Sequence, residues 1–425
     1  MKKNGLKRSL FVLLVVCGFT SVISAQTATK YGWRGVDRNG VYNETGLMKS
    51  WPSNGPTLLW ESLNIGNGYS SPVIVGDRLY VTGMNDNETK EIFSCYTLDG
   101  KKVYSVEYGD VWTGPYPETR TTPAIDNGKA YVISGSGQIV CLNVADGKMV
   151  WSVDGGKVYQ RRTGMWGTAE CPLVYDNKVI YTPSGSQASM VALDKNTGEL
   201  IWKSKAFGDV GGYVAPVLID FKGKKQVVGM SAVRIFGVDP NNGEVQWYFD
   251  GFGKKSQGDN IVTNSPLYSN GKIFFSDGYD INGYQIQLSD DMKSVKLVWT
   301  NTDLDTHHGG YVLVNGTIYG SNWLSNNDGA WVAVDWNSGK TTYNEKWSGG
   351  KGKGSIIYSD GMLYCYDERR GTVGLVKPNP SKFEVVSEFR ITKGEGPYWA
   401  HPVINNGVLY IRHGKVLQAY DIKQK

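Results

Sequence analysis

Residues 71–81 read SPVIVGDRLYV: a small residue, a proline, three apolar residues, a polar turn carrying glycine, and an alternating strand through tyrosine. Period-two alternation on either side of a tight turn marks two short antiparallel strands. The same unit returns at Thr122-Pro123 (PAIDNGKAYVI), Cys171-Pro172 (PLVYDNKVIYT), Ala215-Pro216, Ser265-Pro266 (PLYSNGKIFFS) and His401-Pro402 (PVINNGVLYI). Degenerate copies at Gly310-Tyr311 (YVLVNGTIYG) and Ser355-Ile356 (IIYSDGMLYC) fill the remaining interval. The eight copies lie 51, 49, 44, 50, 45, 45 and 46 residues apart.

Each copy has a second half: an apolar strand, a polar turn with glycine, and an aromatic four residues later. Gly100 with Tyr104, Gly147 with Trp151, Gly198 with Trp202, Gly243 with Trp247 and Gly339 with Tyr343 follow this rule. Four short strands per unit and a period in the forties describe a propeller blade. One blade cannot bury both of its faces, so blades stacked around an axis supply the core. The expected fold is therefore all-β, an eight-bladed propeller of four-stranded antiparallel blades. The last copy ends at Lys425 without a fourth strand, while Leu58-Leu59-Trp60-Glu61 is an orphan strand before the first copy. Pairing the two closes the ring and removes an open edge. Trp60, Trp151, Trp202, Trp247 and Trp299 are expected to dock blade on blade.

The chain divides into a signal peptide at 1–25, an N-terminal lead-in segment at 26–56 and the propeller at 57–425. Lys2, Lys3, Lys7 and Arg8 precede an apolar run from Leu10 to Phe19, and Ser24-Ala25 offers a cleavage site. The run is too short for a permanent anchor, so a cleaved secretory signal and a periplasmic or secreted location are expected. Cys17 does not make a lipoprotein signal, because Val16 stands where a small residue belongs. No other run is apolar enough to be a transmembrane segment. Loss of the leader's four basic residues takes the formal charge from +5 to about +1, which leaves no basic footprint for nucleic acid. Cys95, Cys141, Cys171 and Cys365 form no C-x-x-C pair and read as buried free thiols.

These repeats resemble those of the PQQ-type quinoprotein propeller superfamily. The stretch Trp33-Arg34-Gly35-Val36-Asp37-Arg38-Asn39-Gly40, with Glu44-Thr45-Gly46-Leu47 and Trp51-Pro52, resembles the opening segment of a bacterial PQQ-like repeat subfamily. In repeat type, blade number and size the chain is also similar to the propeller lipoproteins of the outer-membrane barrel assembly machine. The first resemblance implies a PQQ and calcium site in the dehydrogenase members, with adjacent cysteines in many of them and carboxylate and amide ligands for Ca²⁺. No adjacent cysteines and no such ligand set align here, so no cofactor is expected.

In a propeller, the loops leading into the innermost strands gather at one channel mouth with those between the second and third strands, and such mouths hold ligands. Here these loops carry Arg120, Arg162, Trp166, Arg234, Asn264, His307, His308, Trp323, Arg369, Tyr398 and His401 as candidate ligand-binding residues. Tyr69, Glu118, Arg161, Glu170, Tyr213, Asn260, Asp280, Asn326, Trp399 and His413 accompany them. Aromatic faces beside Arg, Asn and His suit a small polar ligand such as a carbohydrate. The arginines and glutamates have a second role open to them, tying neighbouring blades together. His307-His308 shows no third ligand and no metal spacing, so no metal is expected. Two functions follow: a monomeric ligand-binding or scaffolding protein with envelope protein partners, or an enzyme on a carbohydrate or polyol, with a PQQ-dependent dehydrogenase as the narrower and less expected form of the enzyme. In the enzyme, His308 or His401 would serve as acid or base, and Arg120 or Arg162 would stabilise negative charge.

Overall fold

The structure is a computed structural model that describes Met1, residues 31–252 and residues 261–425. The expected secretory signal, apart from Met1, and Asn260 lie outside the described residues. Eight antiparallel sheets of four strands account for nearly all the secondary structure, one sheet carrying an additional fifth strand. In chain order the blades span residues 73–110, 124–154, 173–203, 217–249, 267–301, 311–345 and 354–390. The eighth joins residues 403–421 to Thr57–Ser62, which pairs antiparallel with Val416–Asp421. The N-terminal strand thus closes the ring as the sequence predicts.

Local chemistry explains the hairpins. Asn127-Gly128, Asn270-Gly271, Asn315-Gly316, Asp360-Gly361 and Asn406-Gly407 have positive φ at both positions, as a two-residue type I′ turn requires. In the fourth strand of most blades, a bulge shifts the register just before the inward aromatic, as between Met149 and Trp151 or Leu58 and Trp60. The bulge turns the aromatic inward. The apolar pairs before it, Leu58-Leu59, Met149-Val150, Leu200-Ile201 and Leu297-Val298, stay exposed on the rim.

The inward aromatic then clasps the next blade. The Trp202 ring lies against Gly243, whose φ of +79° suits glycine and whose Cβ would sit 2.6 Å from the ring. Its indole N–H donates to the Pro240 carbonyl at 3.0 Å. Trp60 on Leu98 (2.6 Å), Trp151 on Lys195 (3.1 Å) and Trp299 on Trp336 (3.2 Å) repeat the arrangement. Trp247 departs from the predicted pattern. Its indole donates to Gln226 Oε1 of its own blade at 2.7 Å, and Gln226 Nε2 carries the link to the Met292 carbonyl of the next at 2.8 Å. Cys95, Cys141, Cys171 and Cys365 are buried and free, as the sequence reading expects.

The lead-in segment does more than approach the ring. Tyr31 bridges to Ile125 on blade two, and Val41–Tyr42 runs parallel to the inner strand of blade seven as its fifth strand. Arg34 donates to the carbonyls of Ile356 (3.0 Å) and Tyr311 (2.6 Å). Across the channel, Arg38 donates to Cys171 (2.8 Å) and Pro216 (3.2 Å), with Pro172 as a further acceptor. The segment then crosses blades seven and eight, where Leu47 and Trp51 join their core, and becomes the closing strand. It plugs the central channel.

Trp202→Ala should destabilise the protein by about 3–5 kcal/mol, the usual cost of deleting a buried aromatic. Denaturant unfolding checks this. A loss below about 1 kcal/mol would contradict the clasp.

Candidate functional site

Above the plug, the blade loops enclose a cavity of about 320 Å³ at the channel mouth. All eight blades contribute to its wall. Tyr69, Arg120, Trp166, Tyr213 and Thr263 come from loops leading into blades one to five, and His307 and His308 from the loop before blade six. Glu368 and Arg369 turn between the second and third strands of blade seven, and Trp399 and His401 precede blade eight. Trp33 of the lead-in segment, Tyr116 and Tyr279 complete the aromatic lining.

The two histidines owe their place to backbone clamps. Asn264 donates to the carbonyls of Thr306 (2.8 Å) and His307 (3.0 Å) and accepts the Gly310 N–H at 2.9 Å. His401 pins the same loop from the other side. Arg34 lies 2.9 Å from its Nδ1 and can only donate, so Nε2 carries the hydrogen and donates to the His308 carbonyl at 2.9 Å. Burial, and then the Arg34 charge, hold His401 well below its ordinary pKa. A neutral ring with both nitrogens engaged has no free position for proton transfer. The sequence-based assignment of His401 as acid or base is therefore corrected to a structural crosspiece.

Glu368 faces the histidine pair. Its Oε2 lies 3.6 Å from His308 Nδ1 and 4.0 Å from His307 Nδ1. Its Oε1 accepts from Lys353 Nζ at 2.9 Å, both side chains being almost wholly buried, and Lys353 also donates to the Ser325 carbonyl at 2.6 Å. His307 Nε2 lies 2.6 Å from the Tyr279 hydroxyl. His308 Nε2 is buried and has no hydrogen-bond partner among the described residues. Burial, reinforced by Lys353 and Arg120, lowers the His308 pKa to about 3, so its ring is neutral at physiological pH. Burial raises Glu368 to about 7 despite Lys353.

Of the candidates read from sequence, Arg120, Trp166, His307, His308, Arg369 and His401 line this cavity. Trp323 stands behind it, its ring 5.0 Å from Tyr279 and its N–H on Asn326 at 3.1 Å. Asn264 positions the histidine loop. Arg162 reaches the Gly208 carbonyl instead. Arg234 is held by Asp209 (3.0 Å) and Asp250 (3.1 Å) over the Phe207 and Tyr248 rings. Tyr398 stacks on His413 at 3.7 Å. Even Arg120 spends its guanidinium on the Trp166 and Tyr116 carbonyls, so Arg120 and Arg162 serve the backbone while Arg234 serves two carboxylates. Glu368 and Lys353 escaped the sequence reading because neither lies in a spacing relation to His307-His308. Glu368 looks like part of an ordinary hairpin turn.

The family described as "Outer membrane protein assembly factor BamB" matches residues 88–345. The chain belongs to this family. Among curated proteins, the tetrathionate hydrolase of Acidithiobacillus ferrooxidans is 23% identical over 238 residues, 49% of this chain and 46% of that protein. The quinoprotein ethanol dehydrogenase of Pseudomonas aeruginosa is 32% identical over 136 residues, 29% of this chain and 21% of that protein. The matches thus span less than half the length of these curated relatives. Among solved structures, BamB from Moraxella catarrhalis superposes with a TM-score of 0.61 at 16% identity, covering 87% of this chain and 98% of that one. At that identity the likeness is one of fold, and it extends the BamB-type propeller to most of the chain. Among the described residues, no helix is long and apolar enough to cross a membrane.

Glu170, in the wall behind the cavity, accepts from the Thr182 N–H at 2.9 Å and the Thr182 hydroxyl at 2.6 Å. Burial nevertheless raises its pKa from 4.5 to about 7. The folded protein therefore keeps this proton at pH values where the unfolded chain has lost it. That contribution is complete below about pH 4.5 and is lost as the pH rises through about 7. The stability of the native protein relative to Glu170→Gln should fall by on the order of 2 kcal/mol between pH 4.5 and 8. Paired unfolding curves at several pH values measure it, and a constant difference would contradict the assignment.

Proposed function

We propose that this BamB-family propeller is a small-molecule-binding protein of the cell envelope. Its ligand is of the carbohydrate class and occupies the mouth cavity. The observation that carries this reading is the lining: Trp33, Tyr69, Tyr116, Trp166, Tyr279 and Trp399 surround a space of about 320 Å³. Flat apolar rings interleaved with Arg369, Asn326, Thr263 and His308 match a molecule with apolar faces and a hydroxyl rim. The basic and apolar leader at residues 1–25 and the family membership support the envelope location.

The enzyme reading has less support. His401 is fully engaged, and the lowered pKa of His308 removes it as a proton donor near neutrality. A PQQ and calcium pair has less support still. Calcium takes six to eight oxygen ligands, whereas Glu368 is the only carboxylate among the described lining residues and two imidazoles stand beside it. A second reading, docking of an envelope protein partner, is favoured by the exposed apolar pairs on the outer strands. Each pair belongs to a different blade, and the bulge that turns the docking aromatic inward accounts for its exposure.

A ligand that binds only the folded state raises the melting temperature once its concentration exceeds its Kd. A panel of mono- and disaccharides is expected to contain at least one that does so, with the shift abolished in Trp399→Ala. No shift across the panel, together with capture of an envelope protein that Leu200→Glu prevents, would overturn this reading in favour of docking.

A further inference from the structure

We propose that His307, His308 and Glu368 form a binding site for a first-row transition dication of the zinc class, with its open coordination positions facing the mouth cavity. This goes beyond carbohydrate binding and does not depend on it, because the site rests on donor atoms that are assembled without a ligand. One donor atom from each of the three residues lies within 4.8 Å of the other two. With metal–ligand bonds of about 2.0–2.2 Å, donors around such an ion sit roughly 3–3.6 Å apart. The Oε2 to Nδ1 distances of 3.6 and 4.0 Å therefore need only small side-chain rotations to close.

The donor chemistry selects the ion. Two imidazoles and one carboxylate suit zinc, cobalt, nickel or ferrous iron, whereas magnesium and calcium take oxygen donors. The surroundings have the features of a built site, in which outer partners fix the orientation of the ligands. The Tyr279 hydroxyl holds His307 Nε2 at 2.6 Å, which turns Nδ1 towards Glu368. Lys353 and its bond to Ser325 hold Glu368 Oε1, which turns Oε2 towards the histidines. Asn264 and His401 fix the backbone that carries both imidazoles. His308 Nε2 is buried and has no hydrogen-bond partner among the described residues, so of the two imidazoles His308 is the one whose outer nitrogen has no second anchor. Three protein donors leave at least one position vacant, as in zinc sites that bind water or substrate rather than in closed structural ones.

The test uses the untagged full-length chain, stripped with a chelator and titrated with Co²⁺, whose visible absorption reports its coordination, followed by competition with Zn²⁺. The expected result is one Co²⁺ per chain, displaced by Zn²⁺, with binding weakened at least about a hundredfold in His308→Ala. Tyr279→Phe removes only an outer partner and should weaken binding about tenfold. Glu368→Gln leaves the buried Lys353 uncompensated and can fail to fold. His308→Ala, whose metal-free melting temperature should match that of the native chain, is therefore the decisive variant. Absence of stoichiometric Co²⁺ uptake, or equal affinity in native and His308→Ala chains, would overturn the proposal.

Discussion

The ring depends on how guanidinium groups satisfy carbonyl oxygens where the innermost strands begin. The carbonyls that accept from Arg34 and Arg38 are buried, and leaving them unpaired would cost on the order of 1–3 kcal/mol each. Arg34 and Arg38 divide the task across the channel, one serving blades six to eight and the other blades three and four. Arg412 does the same at the closing seam, donating to Ser70, Thr82 and Gly66 of the opposite chain end. Five N–H groups in a rigid planar fork make arginine suited to several carbonyls at once. Burial lowers the Arg412 pKa to about 9 and that of Arg34 to about 10, which leaves both charged at neutral pH.

The site inherits its shape from that constraint. Because the lead-in segment fills the channel, the mouth becomes a closed-bottomed cavity with Trp33 in its lining. The bond from Arg34 to His401 then passes order to the histidine loop, since His401 in turn holds the His308 carbonyl. Structural and functional roles therefore divide residue by residue. Arg34, Arg38, Arg120 and Arg162 are committed to backbone oxygens, while His307, His308 and Glu368 line the cavity. The aromatic lining adds apolar surface without adding competing donors.

Much of the fold was legible because repetition amplifies a weak signal. A single Pro-apolar-turn-strand unit such as residues 72–81 means little, but eight copies at a period in the forties specify blade, count and closure. The docking tryptophans were legible for the same reason, apart from Trp247, whose link through Gln226 belongs to one seam alone. The site was legible only as a zone. Loop position picked out Arg120, Trp166, His307, His308, Arg369 and His401. It also picked out Arg162, Arg234 and Tyr398, because nothing in a sequence shows which partner a loop cation will choose. Glu368 and the plugging role of Arg34 depend on contacts between distant parts of the chain, 60 residues from His308 and more than 300 from Ile356, and local spacing carries no trace of them.

The central claim, that the lead-in segment is an integral plug and not a tail beside the ring, is tested most directly by native-state amide hydrogen exchange. The amides of Tyr31, Gly40 and Val41 donate to Ile125, Arg34 and Asn39 respectively. They should exchange as slowly as the ladder amides of blades that the segment does not touch, through opening of the propeller itself. Exchange at the rate of an unstructured chain would show that the segment leaves the channel freely. The cavity would then have no floor and the arginine clamps no structural role.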